Sequence, residues 1–164
     1  MAGSLPNVLR SAVFSPCRTW RYSIYRIWDE TKPLLAVVGL NPSTADETLD
    51  DPTIRRCIRF ARDWGYGGLV MLNLFAFRST DPAGLRSAQD PIGPDNDQHL
   101  LKETEGRRAL CAWGTHGVLQ GRGATVAALL KTVGRELVCL GRTKGGHPKH
   151  PLYIRADQQP EPWG

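Results

Sequence analysis

The sequence lacks several patterns that would assign a function directly. No apolar run is long enough to cross a membrane and no signal-peptide pattern is present, so we expect a cytoplasmic protein without a membrane partner. No G-x-x-x-x-G-K-S/T phosphate loop, no G-x-G-x-x-G after a strand and no G-x-S-x-G elbow occurs. These absences weigh against nucleoside-triphosphate hydrolysis and against hydrolases with a serine elbow.

Cysteine patterns typical of metal sites are also missing. The chain has four cysteines, and no two of them form a C-x-x-C pair. Cys111 and Cys139 lie in apolar runs and Cys57 lies in a helical pattern, which is typical of buried free thiols. The spacing supports neither zinc nor an iron–sulfur cluster, so we predict no metal and no cofactor.

Length and charge set the scale of the molecule. A chain of 164 residues is long enough for one domain with a real core, and we expect residues 1–164 to form a single, monomeric α/β domain with its core in 12–155. The formal net charge is +5 and the isoelectric point is about 9.3. This charge is compatible with a nucleic-acid partner and also with an ordinary surface rich in Lys and Arg.

The stretch that organises the chain begins with the apolar run Leu34–Gly39. A short apolar run between turn signals is typical of a strand buried on both faces, as in a parallel sheet. The run leads into Asn41 and Pro42, and a proline holds the residue before it in the extended region. Asn41 is therefore predicted to lie at the carboxyl end of a central strand, where open α/β sheets bind their ligands.

The remaining pattern predicts an α/β fold. A helix begins with Asp51 as N-cap and Pro52 in its first turn, and further helices are predicted over 95–105 and 118–133. Further strands are predicted over 69–77, 109–113 and 137–141. With the central run, this alternation predicts a three-layer sandwich, in which helices cover both faces of a four-stranded, mostly parallel sheet. We expect the chemistry in the loops that follow the strands.

The segments outside this alternation are predicted separately. Alternating polar and apolar residues over 18–28 predict an N-terminal antiparallel strand near an edge, with Tyr22, Ile24 and Arg26 on one side and Arg21 on the other. Three segments are predicted to be irregular or loosely held: 1–10, 82–93 and the tail after Asp157.

An acidic cluster follows the Asn-Pro turn. Asp46, Glu47, Asp50 and Asp51 could supply a general base or bind Mg²⁺. Carboxylates at the start of a helix are also favoured by the helix dipole, so a structural role is open as well, and the two roles can coexist.

Two further groups could contact a substrate. Asn73 lies in an otherwise apolar strand, and its amide could bond either the Watson–Crick edge of a pyrimidine or neighbouring backbone. His147 and His150 lie in a basic loop with Lys144 and Lys149, which suits the stabilisation of an anion or a leaving group. The same loop could instead be a solvated surface.

Four pieces of the sequence, in chain order, resemble motifs of the uracil-DNA glycosylase superfamily. GLNPS at 39–43 is similar to the first motif of its mismatch-specific branch, and VMLN at 70–73 is similar to the strand whose last Asn reads the extruded base. AWG at 112–114 resembles a strand end of that superfamily. The two His-Pro pairs, at 147 and 150, each resemble the start of its H-P-S second motif. The whole string also resembles a bacterial domain family of unknown function.

The resemblance implies a DNA base N-glycosylase with a four-stranded parallel sheet, acting on DNA that is single-stranded or carries a modified base. In such an enzyme Asn41, together with Asp46, would orient the attacking water, and Asn73 would read the base. His147 or His150 would stabilise the departing base. The implied substrate contacts are Gly39, Leu40, Pro42, Ser43, Phe75, Trp113, Gly114 and His116. The implied contacts to DNA phosphates are Arg78, Arg142, Lys144 and Lys149.

The sequence departs from the superfamily pattern in two respects that keep other functions open. The second motif lacks its Ser, and no aromatic residue directly follows the first motif. A catalytically inactive nucleic-acid-binding module of the same fold is therefore an alternative. Another is a hydrolase of small nucleosides or nucleotides that uses the carboxylates of 46–51, with or without Mg²⁺. A third is a likeness of fold with an unrelated function.

Overall fold

The computed structural model describes residues 8–164. Its strands are β1 Leu9–Phe14, β2 Arg21–Ile27, β3 Leu34–Gly39, β4 Gly68–Asn73, β5 Ala109–Cys111, β6 Leu137–Cys139 and β7 Glu161–Pro162. Within this part of the chain they form one seven-stranded mixed sheet in the order β1-β2-β4-β3-β5-β6-β7. The central strands β4, β3, β5 and β6 run parallel to one another, whereas β1, β2 and β7 pair antiparallel.

The predicted α/β class is confirmed, and the predicted four-stranded parallel sheet is correct only for the centre of the sheet. β1 overlaps a segment predicted to be loosely held, and β7 lies in the tail predicted to be loosely held. β2 pairs antiparallel with both β1 and β4 and lies next to the edge strand β1, as predicted for an antiparallel strand near an edge. The rest of the predicted loose start, residues 1–7, lies outside the described residues.

The helices cover both faces of this sheet. Those within residues 8–164 are α1 Pro52–Asp63, α2 Pro82–Ser87, α3 Asn96–Glu103 and α4 Arg122–Thr132. α1 begins as predicted, with the Asp51 carboxylate accepting a hydrogen bond from the Ile54 amide at 2.8 Å. α2 lies in the segment predicted to be irregular. The helix predicted over 118–133 is broken, because left-handed backbone at Gln120 (φ 54°) separates a 3₁₀ turn from α4. No helix in the described part is long and apolar enough to span a bilayer.

Two apolar layers pack against the two faces of the sheet. Along β3, alternate side chains point to opposite faces, so Leu35 and Val37 pack under α1, while Ala36 and Val38 pack towards α3 and α4. All of these side chains are fully buried. Burial on both faces accounts for the continuous apolar run that identifies the strand in the sequence.

A β-bulge interrupts the alternation predicted over 18–28. Ser23 and Arg21 pair with consecutive residues of β1, so Tyr22 is an extra residue in β2. Arg21 and Arg26 consequently both reach the loop that follows β3, where each donates to a backbone carbonyl. The prediction that these two arginines lie on opposite sides is therefore wrong.

The tail packs onto the sheet through Trp163. β7 pairs antiparallel with β6, and the Trp163 ring meets the Trp113 ring edge-on, with 5.2 Å between the ring centroids. The Trp163 indole N–H donates to the Gly146 carbonyl at 3.2 Å. Residues 161–163 are therefore part of the packed structure and hold the loop that follows β6.

We expect Trp163→Ala to lower the free energy of unfolding by roughly 1–3 kcal/mol, because it removes a partly buried aromatic contact. Urea unfolding followed by circular dichroism measures the change. Tyr153→Ala is the matched control, because Tyr153 is 86% exposed and its loss should change stability by less than about 0.5 kcal/mol. Equal stabilities of Trp163→Ala and the unchanged protein would contradict the packing role of the tail.

Candidate functional site

The carboxyl ends of the parallel strands meet at one edge of the sheet. Gly39 and Asn73, the last residues of β3 and β4, are register partners, and Cys111 and Cys139 end β5 and β6 side by side. The loops that follow these four strands therefore converge at this edge, which is the usual location of ligand sites in open α/β sheets.

A small polar cavity, hereafter the inner cavity, lies at this edge and has a volume of about 170 Å³. Its walls come from β2, from the ends of β3 and β4 and the loops after them, and from the loop that follows β6. It is lined by Arg21, Gly39, Leu40, Asn41, Ser43, Asp51, Thr53, Ile54, Met71, Asn73, Ser79, Thr80, Pro82 and His150. The cavity thus brings together Asn41, Asn73 and His150, which the sequence motifs single out.

A wider cleft of about 650 Å³, hereafter the outer cleft, adjoins the inner cavity. The two spaces share Leu40, Thr53, Thr80, Pro82 and His150. The outer cleft adds the predicted substrate contacts Trp113, Gly114 and His116 and the basic residue Lys149. Leu152 and Tyr153 also line it, and they are 42% and 86% exposed. The inner cavity is therefore the deep end of a larger opening.

Asn73 lines the inner cavity, and its buried amide has no hydrogen-bond partner among the described residues. The residue is 1% exposed, and within residues 8–164 neither its Oδ1 nor its Nδ2 has a hydrogen-bond partner. A buried amide without partners costs free energy in the unliganded protein. Gly39 lies beside it, and a Cβ at that position would come within 3.1 Å of Asn73 Oδ1. The hydrogen-bonding capacity of this amide is therefore not used by the described residues.

The backbone at Asn73 is held by two side chains that the sequence analysis did not single out. Asn96 Nδ2 donates to the carbonyls of Asn73 and Leu74 at 2.9 and 3.0 Å, and Arg122 Nε donates to the Leu74 carbonyl at 2.8 Å. These bonds satisfy the backbone where β4 ends. Both residues begin a helix, where polar side chains are ordinary, so no pattern in the sequence marks this role.

Asn41 is oriented by its amide nitrogen. Nδ2 donates to the Ser79 carbonyl at 2.8 Å and to the Pro42 carbonyl at 3.0 Å. Because the nitrogen side of the amide is engaged by backbone, Oδ1 remains as the hydrogen-bond acceptor of this side chain. An acceptor fixed in this way at the wall of a cavity can orient a water molecule.

His150 lies where the inner cavity meets the outer cleft. Its Nδ1 accepts a hydrogen bond from the Leu152 amide at 3.3 Å, so the neutral ring carries its proton on Nε2 and can donate from there. Burial lowers the pKa of His150, and the nearby charge of Asp51 acts in the opposite direction. His150 is therefore a neutral hydrogen-bond donor near pH 7.

The inner cavity is also lined by two charged residues that the motifs did not assign to the substrate, Asp51 and Arg21. Asp51 caps α1 with one carboxylate oxygen and is 7% exposed. Arg21 donates from Nη1 to the Ala45 carbonyl at 3.0 Å, and burial lowers the pKa of Arg21 to about 10. Asp51 could be located in the sequence because it was predicted as a helix N-cap. The position of Arg21 depends on the bulge in β2, which no pattern in the sequence indicates.

The other members of the acidic cluster serve the loop that follows β3. Asp46 accepts hydrogen bonds from the amides of Leu49 and Thr48 at 2.8 and 2.9 Å, which lower the pKa of Asp46. Glu47 and Asp50 form ion pairs with arginines at 2.8 Å. Asp46 does not line the inner cavity. Across the described chain, no group of three or more His, Cys, Asp or Glu side chains is arranged to hold a metal ion.

The remaining predicted substrate contacts are divided between the cavity and the core. Gly39, Leu40 and Ser43 line the inner cavity. Phe75 is fully buried among apolar side chains on the α3–α4 face, and Pro42 is buried outside the cavity lining. His147, whose amide donates to the Thr143 hydroxyl at 3.1 Å, lines neither the inner cavity nor the outer cleft.

Of the basic residues predicted to contact DNA, Lys149 lines the outer cleft. Arg78 packs its guanidinium over an aromatic ring of β1, 4.9 Å from the ring centroid. Arg142 donates to the Pro162 carbonyl at 3.3 Å, and Lys144 is exposed on the loop. Only one of these cations therefore lies at the entrance to the cavity.

The fold and the site define an α/β protein with a polar cavity at the carboxyl edge of its central strands. The family described as Protein of unknown function (DUF1643) matches residues 21–152, and the chain belongs to this family. No curated protein and no solved structure matches the chain. All the residues that line the inner cavity fall within the matched range.

We expect the pKa of His150 to lie below 6.5 and its neutral ring to carry the proton on Nε2, because burial disfavours the cation and Nδ1 accepts from backbone. Nuclear magnetic resonance titration of the ring measures both properties. Since the unfolded chain binds this proton more tightly, the free energy of unfolding should fall as pH decreases from about 6.5 towards the lowered pKa. A His150 pKa of 6.5 or above would contradict the expectation.

Asn73 and Asn96, each 1% exposed, should respond oppositely to replacement by leucine. We expect Asn73→Leu to leave the free energy of unfolding unchanged or to raise it by about 1 kcal/mol, because it removes an unpaired buried amide. Asn96→Leu should lower it by roughly 2 kcal/mol, because two backbone carbonyls lose their donor. Urea unfolding measures both variants, and a large destabilisation by Asn73→Leu would indicate a structural role for that amide.

Proposed function

We propose that the protein is a cytoplasmic, monomeric DNA base N-glycosylase of the uracil-DNA glycosylase superfamily, which extrudes a damaged or modified base and hydrolyses its bond to the sugar. The observation that carries this proposal is the unpaired, buried amide of Asn73, since a group that costs stability in the free protein is explained by a ligand that complements it. Asn41 and His150, which line the same cavity, support it.

The base would occupy the inner cavity. A carbonyl next to a ring N–H presents one acceptor and one donor, and the Nδ2 and Oδ1 atoms of Asn73 complement that pair. A base must leave the helical stack to reach such a cavity, at a cost of a few kcal/mol that is smallest for mismatched or damaged bases. Asn73 alone would recognise this edge, which uracil and purines with a C6 carbonyl share.

The attacking water would be oriented by Asn41 and Asp51. Asn41 offers Oδ1 as an acceptor, because its nitrogen is engaged by the carbonyls of Pro42 and Ser79. Asp51 adds a carboxylate that can accept a proton as the water oxygen attacks C1′ of the sugar. Asp51 takes the role predicted for Asp46, because the Asp46 carboxylate is engaged by two loop amides away from the cavity.

His150 would stabilise the departing base. As the bond between C1′ and the base nitrogen breaks, its electron pair moves onto the base, and a nearby N–H donor offsets the growing negative charge. The neutral ring of His150 can donate from Nε2 without first binding a proton. Of the two His-Pro pairs, the second is preferred because His150 lines the cavity and His147 does not.

The outer cleft would hold the DNA strand. Leu152 and Tyr153 line it with much of their apolar surface exposed, which is typical of a surface that contacts a partner. An exposed aromatic ring such as that of Tyr153 can stack on a neighbouring base, and Lys149 can contact a phosphate. Base extrusion would then place the sugar at the junction of the two spaces.

Base release from oligonucleotides tests this function. The protein is incubated, with chelator present, on oligonucleotides that each carry one deaminated or otherwise modified base, and abasic sites are detected by alkaline cleavage. Asn41→Ala should slow release by roughly two to four orders of magnitude, because the water loses its acceptor. DNA binding, measured by fluorescence anisotropy, should be largely retained. Equal release by the variant would exclude the proposed role of Asn41.

The two His-Pro pairs supply the matched control for this experiment. His150→Ala should slow release at least about tenfold, because the donor to the departing base is lost. His147→Ala should leave release unchanged, because His147 lines neither the inner cavity nor the outer cleft. If His147→Ala slowed base release and His150→Ala did not, the role of stabilising the departing base would belong to His147 instead.

The alternative functions lead to different outcomes of the same assay. An inactive binding module would bind DNA with a steep salt dependence and release no base from any oligonucleotide. A nucleoside or nucleotide hydrolase that used the acidic cluster with Mg²⁺ would act on free nucleosides and lose activity in chelator. The engagement of Asp46, Glu47 and Asp50 by amides and arginines makes this second alternative the weaker one.

A further inference from the structure

Arg21 and Arg26, on the same strand, are both almost fully buried but differ in how their charges are satisfied. Arg26 pairs with Asp50 at 2.8 Å, and its remaining nitrogens donate to backbone carbonyls. Among residues 8–164, the Arg21 guanidinium donates only to the Ala45 carbonyl, and its buried Nε has no partner. No carboxylate of the described residues forms an ion pair with it.

The bulge in β2 is the feature that directs Arg21 to the inner cavity. Because Tyr22 is an extra residue, Arg21 faces the side of the sheet on which the loop after β3 lies. Without the bulge, a regular strand would direct this side chain towards α3. Bulges that redirect a side chain occur frequently beside functional sites.

A buried guanidinium without a full set of acceptors is costly, as is any desolvated charge without compensating partners. The cost is recovered when a ligand brings acceptors to the free N–H groups. Arg21 lines the same cavity as Asn73, whose amide is also unpaired. The cavity is therefore lined by two separate residues with unpaired buried polar atoms, and one of them, Arg21, can only donate.

We infer that Arg21 selects the substrate base, and that this base is a 6-oxopurine such as hypoxanthine. The inference rests on the proposed function and names the substrate class of the same site. Arginine donates in a fork to two adjacent acceptors, and O6 and N7 of a 6-oxopurine are the pair that arginine most often contacts in DNA. Asn73 then accepts from N1–H on the Watson–Crick edge.

The same contact rejects the normal base from which hypoxanthine arises. Adenine carries an amino group at C6, so its N–H groups would face the N–H groups of Arg21, and neither could accept. Uracil has the carbonyl and the ring N–H that Asn73 can read, but it lacks a second acceptor at the position of N7. Arg21 therefore favours hypoxanthine over both of these bases.

Replacement of N7 by carbon isolates this contact. Calorimetry measures the binding of free hypoxanthine, 7-deazahypoxanthine and uracil to the wild-type protein and to Arg21→Met, whose side chain keeps similar volume without a donor. Wild-type protein should bind hypoxanthine at least about tenfold more tightly than either other base. This preference should disappear in Arg21→Met. Arg21→Lys keeps the charge but loses the fork, and it should lose the preference as well.

Equal binding of hypoxanthine and 7-deazahypoxanthine by the wild-type protein, or the same preference in both variants, would overturn the inference. Absence of binding by all three bases would overturn it too. The base-release assay separates this failure from failure of the proposed function. If the protein released uracil in preference to hypoxanthine, the proposed glycosylase function would stand and the proposed role of Arg21 would be wrong. If the protein bound hypoxanthine selectively but released no base from any oligonucleotide, the proposed role of Arg21 would stand and the proposed glycosylase function would be wrong.

Discussion

The parallel, in-register pairing of β3 with β4 determines how the site is built. Gly39 and Asn73 end these strands opposite each other, and a side chain at position 39 would lie 2.8 Å from Met71 Cε and 3.1 Å from Asn73 Oδ1. Backbone pairing continues past the strand ends, because the amides of Leu74, Phe75 and Ser79 donate to the carbonyls of Gly39, Leu40 and Pro42. The two loops are thereby fixed to each other, and the Ser79 carbonyl returns to orient Asn41.

The parts of this site that local sequence could predict are those determined by short-range physics. The apolar run of β3 and the proline after Asn41 locate a polar turn at a strand end, and Asp51 before Pro52 locates the start of α1. The presence of His150 rather than His147 in the lining of the inner cavity depends on the fold of the loop after β6. The bulge that redirects Arg21 depends on pairing with β1, and no pattern local to either strand encodes that pairing.

The site is maintained at a cost to the stability of the domain. Asn96 Nδ2 and the Arg122 guanidinium complete the backbone at the end of β4, whereas both amide atoms of Asn73 and Nε of Arg21 have no partner among the described residues. Such a division is expected when binding requires polar groups that the folded chain does not itself satisfy. The surrounding core, apolar on both faces of the central strands, compensates for that cost.

The contacts of residues 161–163 link the edge of the sheet to the entrance of the cavity. Trp163 donates to the Gly146 carbonyl and Pro162 accepts from Arg142, so β7 and the residue that follows it hold the loop that leads to His150. Short peripheral strands open in local fluctuations at a lower free energy than global unfolding requires. Detachment of β7 would release this loop and uncover the edge of β6 in the same event. The position of the loop that leads to His150 and the pairing of the edge of β6 therefore depend on one local equilibrium.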